Sequence, residues 1–125
     1  MTKETAQRRA IRRAFERSGR PLAPAEVLHS AREECPSLGL ATVYRNLRLL
    51  VEEEWLALVA LPGTSPRYER AGKPHHHHFL CRSCDQAFDI AACTDAFHSL
   101  VPSGFRIEDH DITLFGLCSR CARAA

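Results

Sequence analysis

The sequence has no uninterrupted apolar stretch of the roughly 18 residues that a membrane-spanning helix needs. Its first residues are polar and basic, and they lack the apolar core of a secretory signal. We therefore expect neither membrane insertion nor export, and we expect a cytoplasmic protein. A length of 125 residues excludes a large multidomain enzyme, and a charged fraction of 26% excludes a disordered or fibrous chain.

Internal repeats and low-complexity segments are also missing, apart from four consecutive histidines at positions 75–78. The chain has six cysteines. In a cytoplasmic protein, cysteines are more often reduced thiols or metal ligands than a disulfide framework. The composition therefore suggests a metal-binding protein.

Positive charge is concentrated at one end of the sequence. The first 20 residues contain seven basic and two acidic side chains, whereas the whole chain has a net charge of +2. This distribution suggests a polyanionic partner, with nucleic acid as the first candidate and Arg8 as one candidate DNA contact. The alternative is an ordinary solvated helix face, and charge alone does not decide between the two.

Apolar residues at helical spacing predict three helices in the first half of the chain. The first ends at Ser18 and Gly19, the second begins at Pro24, and the third covers residues 40–53. Residues 55–61 and 66–69, separated by a turn, predict a two-stranded hairpin. Three helices followed by a hairpin are typical of a winged helix-turn-helix.

The third predicted helix carries the candidate DNA-reading face. Its predicted core face consists of Leu40, Val43, Leu47 and Leu50. The opposite face carries Thr42, Arg45 and Asn46, with Tyr44 on the flank. Such polar side chains suit contacts with phosphates and base edges.

The second half differs in kind. Short β-type runs at residues 79–80, 87–90, 105–108 and 112–117 surround a predicted helix near residues 93–100. The predicted fold class is α+β. It comprises an N-terminal winged helix-turn-helix domain at residues 1–70, a hinge at 71–74, and a small C-terminal α/β domain at 75–125.

Two CxxC pairs predict a structural zinc site. Cys81 and Cys84 form the first pair, and Cys118 and Cys121 form the second. Two intervening residues let both thiolates of a pair face one ion, and two pairs complete a tetrahedral S4 site. A redox-active CxxC is the alternative, but the expected βαβ context is missing.

The histidine run predicts two further groups of ligands. In an extended strand, alternate side chains share a face, so His76 and His78 form one pair and His75 and His77 form the other. Glu69 and Asp89 are close enough in sequence to supply oxygen ligands to the first pair. Cys93, Asp95 and His110 remain for the second pair. A solvated histidine-rich linker is the alternative.

Several segments of the sequence are specific in combination: residues 39–50 (GLATVYRNLRLL), 67–69 (RYE), 75–84 (HHHHFLCRSC) and 115–121 (FGLCSRC). Together they resemble the ferric uptake regulator family of bacterial metalloregulators, nearly from end to end. The resemblance implies a winged-helix DNA-binding domain, a hinge, and a C-terminal domain through which two subunits dimerise. It also implies that Tyr44 and Arg45 contact DNA.

The same resemblance implies the roles of the metal ligands. The four CxxC cysteines match the structural zinc site of the family. The regulatory metal site matches Glu69, His76, His78 and Asp89. An additional metal site matches His75, His77 and His110, and a carboxylate usually completes it. The segment between Cys84 and His110 is shorter here than in familiar members, so Cys93 and Asp95 are competing candidates for the last ligand.

Two departures from the family concern the metal that is sensed. Several iron- and peroxide-sensing members add a histidine ligand to the sensing site near the place of Leu22, which this chain does not have. His29 lies a helical turn or two further on, and its role as a replacement is left open. Zinc members often have a cysteine where this chain has Arg70 and Ala71. Imidazole and oxygen ligands suit Zn²⁺, Mn²⁺ or Fe²⁺, and we rank zinc or manganese ahead of iron.

The resemblance thus implies a metal-responsive repressor of metal-uptake or homeostasis genes, which binds palindromic double-stranded operators as a metal-loaded homodimer. We expect neither a membrane partner nor a small-molecule substrate. An iron- or peroxide-sensing member of the same family is one alternative. A small zinc enzyme is a distant one, because it would leave the basic segment and Arg45 without a role. A constitutive DNA-binding protein with purely structural metals is a third.

Overall fold

A computed structural model of the chain describes residues 5–94 and 96–124. The chain divides into two compact units, Met1–Lys73 and Pro74–Ala125. Within the described residues, no helix combines the length and the apolar character needed to cross a bilayer. Asp95 lies outside the described residues.

The first unit begins with three helices, α1 (Ala6–Ser18), α2 (Pro24–Ala31) and α3 (Leu40–Glu52). Helix α1 starts where the Thr5 hydroxyl accepts a hydrogen bond from the backbone N–H of Arg8. It ends at Gly19, whose φ of 62° lies in the left-handed region that glycine adopts without strain. The glycine cap explains why the end of α1 could be predicted from the sequence.

A single apolar core holds the three helices together. Each helix contributes its buried stripe, and the loops add Leu22 and Leu38. The helical members are fully or almost fully buried: Ala10, Ile11, Ala14, Phe15, Val27, Ala31, Val43, Leu47 and Leu50. Burying a large apolar side chain contributes about 1.5–3 kcal/mol, so this core is the main source of stability in the first unit.

A hairpin of β1 (Leu56–Val59) and β2 (Arg67–Arg70) follows α3. The backbones of Leu22 and Tyr68 exchange hydrogen bonds of 2.8 and 2.9 Å, which fixes the hairpin to the segment before α2. The guanidinium of Arg70 lies 4.0 Å from the centre of the Trp55 ring. Three helices and a hairpin form a winged helix, as the sequence predicts.

The predicted faces of α3 need a correction. Leu40 is 43% exposed, whereas Asn46 is only 6% exposed. The stripe that packs inward is Val43, Asn46, Leu47 and Leu50. Its spacing of i, i+3, i+4 and i+7 is that of one helical face. Asn46 is polar but occupies a core-facing position, because Arg8 supplies it with a hydrogen-bond partner.

The second unit contains a three-stranded sheet. Its strands are β3 (His77–Cys81), β4 (Ala87–Ile90) and β5 (Thr113–Gly116), in the order β4-β3-β5. Strand β3 pairs antiparallel with β4 and parallel with β5. A 3₁₀ helix (Ala96–Leu100) lies between β4 and β5, and helix α4 (Ser119–Ala124) follows β5.

Two predicted elements of the second unit are wrong. Residues 105–108 form no strand, and Phe105 is 67% exposed. Apolar and polar residues alternate there, but this segment does not pair with any strand in the part of the chain that the structure describes. The helix predicted near residues 93–100 is the short 3₁₀ helix, which leaves Cys93 in an irregular segment.

Candidate metal centres and nucleic-acid interface

The four CxxC cysteines converge on one point of the second unit. Cys81 ends β3 and Cys84 follows in a turn, whereas Cys118 immediately precedes α4 and Cys121 lies within it. Their Sγ atoms all lie within 4.8 Å of one another, and those of Cys84 and Cys118 are 3.9 Å apart. Four thiolates at such distances fit a tetrahedral zinc site.

The sheet explains how two distant cysteine pairs meet. The parallel pairing of β3 with β5 places Cys81 opposite Gly116. A Cβ at Gly116 would lie 3.2 Å from the ring of Phe79, so glycine permits this close approach. After Cys84, the turn is closed by Asp85, whose φ of 63° allows its N–H to donate to the Cys81 carbonyl at 2.9 Å.

Backbone amides favour the thiolate form within this group. The N–H groups of Cys84 and Cys118 lower the pKa of Cys81 to about 6. Burial raises the pKa of Cys84 to about 11. Arg120 has a raised pKa because its guanidinium is bonded to the side chains of Cys84 and Cys121. The peptide framework therefore supplies stabilising charge around the cluster.

A second group combines three imidazoles with one thiol. The ligand atoms of His75, His77, Cys93 and His110 lie within 4.8 Å of one another. The Cys93 Sγ is 3.2 Å from Nε2 of both His77 and His110, and 3.6 Å from Nε2 of His75. Of the two ligands that the sequence left open, Cys93 is thus at the cluster, and Asp95 is outside the described residues.

The environment of His77 disfavours its protonated form. Burial lowers the pKa of His77, and the charges of His75 and His110 lower it further. Neutral imidazole is the form that binds a cation. The lowered pKa therefore favours the form of His77 that can act as a ligand.

The third group contains His76, His78 and Asp89, whose ligand atoms also lie within 4.8 Å of one another. Asp89 is paired with His78 across β3 and β4, and its Oδ1 lies 3.7 Å from Nε2 of His78 and 4.0 Å from Nε2 of His76. His76 Nδ1 lies 2.9 Å from the Pro74 carbonyl. With Nδ1–H as the donor, Nε2 keeps its lone pair for a cation.

Glu69, the remaining predicted ligand, belongs to the first unit. It lies on β2, and its Oε1 is 3.4 Å from the ammonium of Lys73. Leu22 is buried in the core of the same unit, and His29 is exposed on α2.

The candidate DNA surface lies on α3. Tyr44 is 52% exposed, and Arg45 is also exposed, with a 3.4 Å hydrogen bond from its Nη2 to the half-buried Thr42 hydroxyl. A groove of about 620 Å³ runs between this helix and the hairpin. It is lined by Tyr44, Arg45, Arg48, Val51, Glu52, Leu58 and Tyr68. Arg48 was not predicted from the sequence, although its place one helical turn after Tyr44 and Arg45 was a signal for it.

Arg8 is not on that surface. Its side chain is buried, its Nε donates to Asn46 Oδ1 at 3.3 Å, and its Nη1 is 3.6 Å from Glu53 Oε1. The structure therefore gives Arg8 a bracing role between α1 and α3. The expectation that it contacts DNA is corrected accordingly.

A winged helix, in one chain with a sheet unit that assembles groups of cysteine, histidine and carboxylate ligands, defines a metal-dependent DNA-binding regulator. The sequence matches the model of the ferric uptake regulator family over residues 1–115. The chain belongs to this family, whose members are transcriptional regulators and not enzymes. The zinc-enzyme alternative is therefore excluded.

Relatives agree with this assignment. The chain is 32% identical over 126 residues to the ferric uptake regulation protein of Bacillus subtilis, which covers 95% of this chain and 85% of the relative. It is 30% identical over 124 residues to that of Campylobacter jejuni, with 95% and 79% covered. The Helicobacter pylori ferric uptake regulator, described with three functional metal-binding sites, matches with a TM-score of 0.70 and 26% identity, over 96% of this chain and 82% of that one.

Proposed function

We propose that this regulator is a cytoplasmic, homodimeric repressor of metal-uptake or metal-homeostasis genes, which binds palindromic operators when a divalent cation occupies the His76, His78 and Asp89 group. The observation that carries the proposal is the convergence of these three donors within 4.8 Å, in the same chain as a winged helix.

The proposed regulatory ligands are His76, His78, Asp89 and Glu69, the last by resemblance to the family. A bound cation supplies the positive charge that holds imidazole and carboxylate donors together. Because Glu69 belongs to the first unit, its participation would link occupancy to the unit that carries α3. We propose zinc or manganese as the physiological ion, since nitrogen and oxygen donors suit both.

The proposed DNA contacts are Tyr44 and Arg45, with Thr42 and Arg48 beside them on α3. Their exposure supports this role, because side chains that enter a major groove must be free of the core. The groove between α3 and the hairpin gives this surface room for a phosphate backbone.

The proposed dimer uses the second unit. Several large apolar side chains of this unit are exposed: Leu100, Phe105, Ile107, Leu114, Phe115 and Leu117. Exposed apolar residues at this density are characteristic of an interaction surface. A twofold dimer would place two copies of α3 on the two half-sites of a palindrome.

Operator binding against free metal tests the proposal. DNA would first be selected from a random duplex pool with the metal-loaded full-length protein. The affinity of the protein for the selected DNA would then be measured at buffered free concentrations of Zn²⁺, Mn²⁺ or Fe²⁺. Oxygen would be excluded and the structural zinc retained. We expect the effective ion to raise affinity by about 5- to 150-fold.

A variant and a control sharpen this test. His78→Ala should abolish the response to metal, and Glu69→Gln should weaken it, whereas His29→Ala, at an exposed position on α2, should respond like the parent protein. Metal-independent binding by the parent protein would instead make this a constitutive DNA-binding protein.

A further inference from the structure

The second ligand group differs from the regulatory group in one donor. It contains a thiol, Cys93, where the group of His76 and His78 contains the carboxylate of Asp89. We propose that Cys93 is the fourth ligand of the His75, His77 and His110 site, and that its thiolate makes this site selective for zinc over manganese. The chain would then hold two exchangeable sites with different metal preferences. This inference rests on the proposed function only where it concerns DNA binding.

The distances within the group match a tetrahedral zinc site. His75 Nε2 lies 3.2 Å from His77 Nε2 and 3.0 Å from His110 Nε2. The three distances from Cys93 Sγ to these nitrogens are between 3.2 and 3.6 Å. Zn–N bonds of about 2.0–2.1 Å and a Zn–S bond of about 2.3 Å, at a tetrahedral angle, require separations of about 3.3 Å between nitrogens and 3.6 Å between nitrogen and sulfur.

The backbone brings Cys93 to this position. His77 is paired with Ile90 at the end of β4, and the chain continues for three residues past that pair to reach Cys93. The ring of Phe97 lies 4.6 Å from that of His110 and limits the orientations of this imidazole. A cysteine held at this point of the loop reaches the histidines without any distortion of the sheet.

Three of the four donors line a cavity that is open to solvent. Cys93 is exposed, and an open cavity of about 450 Å³ lies beside it. The cavity wall includes His75, Cys93, Phe97 and His110. Access of this kind is expected of an exchangeable site.

The donor chemistry separates the two sites. Thiolate and imidazole donors in a tetrahedral arrangement favour Zn²⁺, whereas carboxylate donors also suit Mn²⁺. Replacing one oxygen by sulfur therefore changes which ion the site prefers, even though both sites contain histidines from the same run.

Cobalt absorption tests the thiolate directly. Full-length protein with one retained structural zinc per chain would be titrated with Co²⁺, which gives intense sulfur-to-cobalt charge-transfer bands only when a thiolate binds. We expect these bands in the parent protein, in Cys35→Ser and in Asp95→Asn. We expect their loss in Cys93→Ser. Bands that survive in Cys93→Ser, or that are absent from the parent, would overturn the proposal.

Metal affinity provides the second measurement. Chelator competition should show that Cys93→Ser weakens zinc binding at this site by more than about tenfold. Manganese binding at the His76 and His78 site, followed by electron paramagnetic resonance, should be unchanged. Weaker zinc binding in Asp95→Asn but not in Cys93→Ser would assign the site to Asp95 instead.

The outcome for this site is separable from the proposed function. If operator binding by the parent protein ignores all metals, the repressor proposal fails while the cobalt result still stands. If the parent responds to metal but the cobalt bands do not depend on Cys93, only the present inference fails.

Discussion

Among single residues, Arg45 has the most separable role, because it is exposed on α3 and bonds to the Thr42 hydroxyl of the same helix. We expect Arg45→Ala to weaken operator binding by about 1–3 kcal/mol while dimerisation and zinc content stay unchanged. Fluorescence anisotropy with labelled operator would measure the loss. Arg106→Ala, which removes an exposed arginine of the second unit, is the matched control. Equal losses in the two variants would contradict a specific role for Arg45.

The burial of Arg8 and Asn46 could not be predicted from the sequence. Both are polar, and both were expected on exposed faces, yet each is about 95% buried because they bond to each other between α1 and α3. The pair is separated by 38 residues. Sequence periodicity describes one helix at a time, so it could not reveal that each residue would meet its partner across the helix interface.

At the scale of elements, α1 is linked to the end of α2 by charge. Glu34 accepts hydrogen bonds from Arg13 at 2.8 Å and from Arg17 at 3.0 Å. The bond from Arg13 lowers the pKa of Glu34 below its ordinary value of 4.5. A lowered folded-state pKa means that ionised Glu34 stabilises the fold above pH 4.5, and that this contribution disappears as the pH falls through the lowered pKa.

Glu34→Gln should therefore lower the melting temperature slightly at neutral pH, with a difference that vanishes in acid and shrinks at high salt. Thermal unfolding followed by circular dichroism across pH would measure this. Glu33→Gln is the control, because Glu33 is 72% exposed and reaches Arg17 only at 3.9 Å. A difference that persists unchanged at low pH would contradict the ionic origin.

The elements differ in how well the sequence predicts them. The three helices and the hairpin have apolar periodicity and clear breaks between them, and they were predicted with their approximate bounds. Residues 105–108 have strand-like alternation but no strand to pair with among the described residues. A strand is stable only in a sheet, so local pattern is weaker support for a strand than for a helix.

At the scale of the whole molecule, the four-cysteine group includes residues of β3 and α4, so that a zinc ion bound there would tie the first strand of the second unit to the helix that follows β5. Structural zinc contributes about 10–16 kcal/mol in small peptides, which exceeds the stability of a typical small domain. Cys118→Ser should release the zinc and unfold the second unit, with loss of the dimer.

Metal analysis, size-exclusion chromatography and circular dichroism would follow this change. Cys35→Ser, in a half-buried cysteine outside the cluster, is expected to keep zinc and dimer. A Cys118→Ser variant that retains one zinc per chain and remains dimeric would contradict the S4 site.

The candidate sites were predictable to different degrees. CxxC spacing and the alternation of a strand predicted which cysteines and which histidines come together, because both are local rules of geometry. The choice between Cys93 and Asp95 was not predictable, since it depends on how an irregular loop returns towards β3. Such a path is set by packing over many residues.

The run of four histidines has a further consequence. Neighbouring residues 75–78 serve alternating ligand groups, so each imidazole is assigned by whether its position is odd or even. Inserting or deleting a single residue between this run and Cys81 would turn each imidazole to the opposite face of the strand, and so would exchange the histidine pairs of the thiol-bearing and the carboxylate-bearing groups. The spacing between the histidines and Cys81 can therefore change only in steps of two if both groups are to keep their histidines.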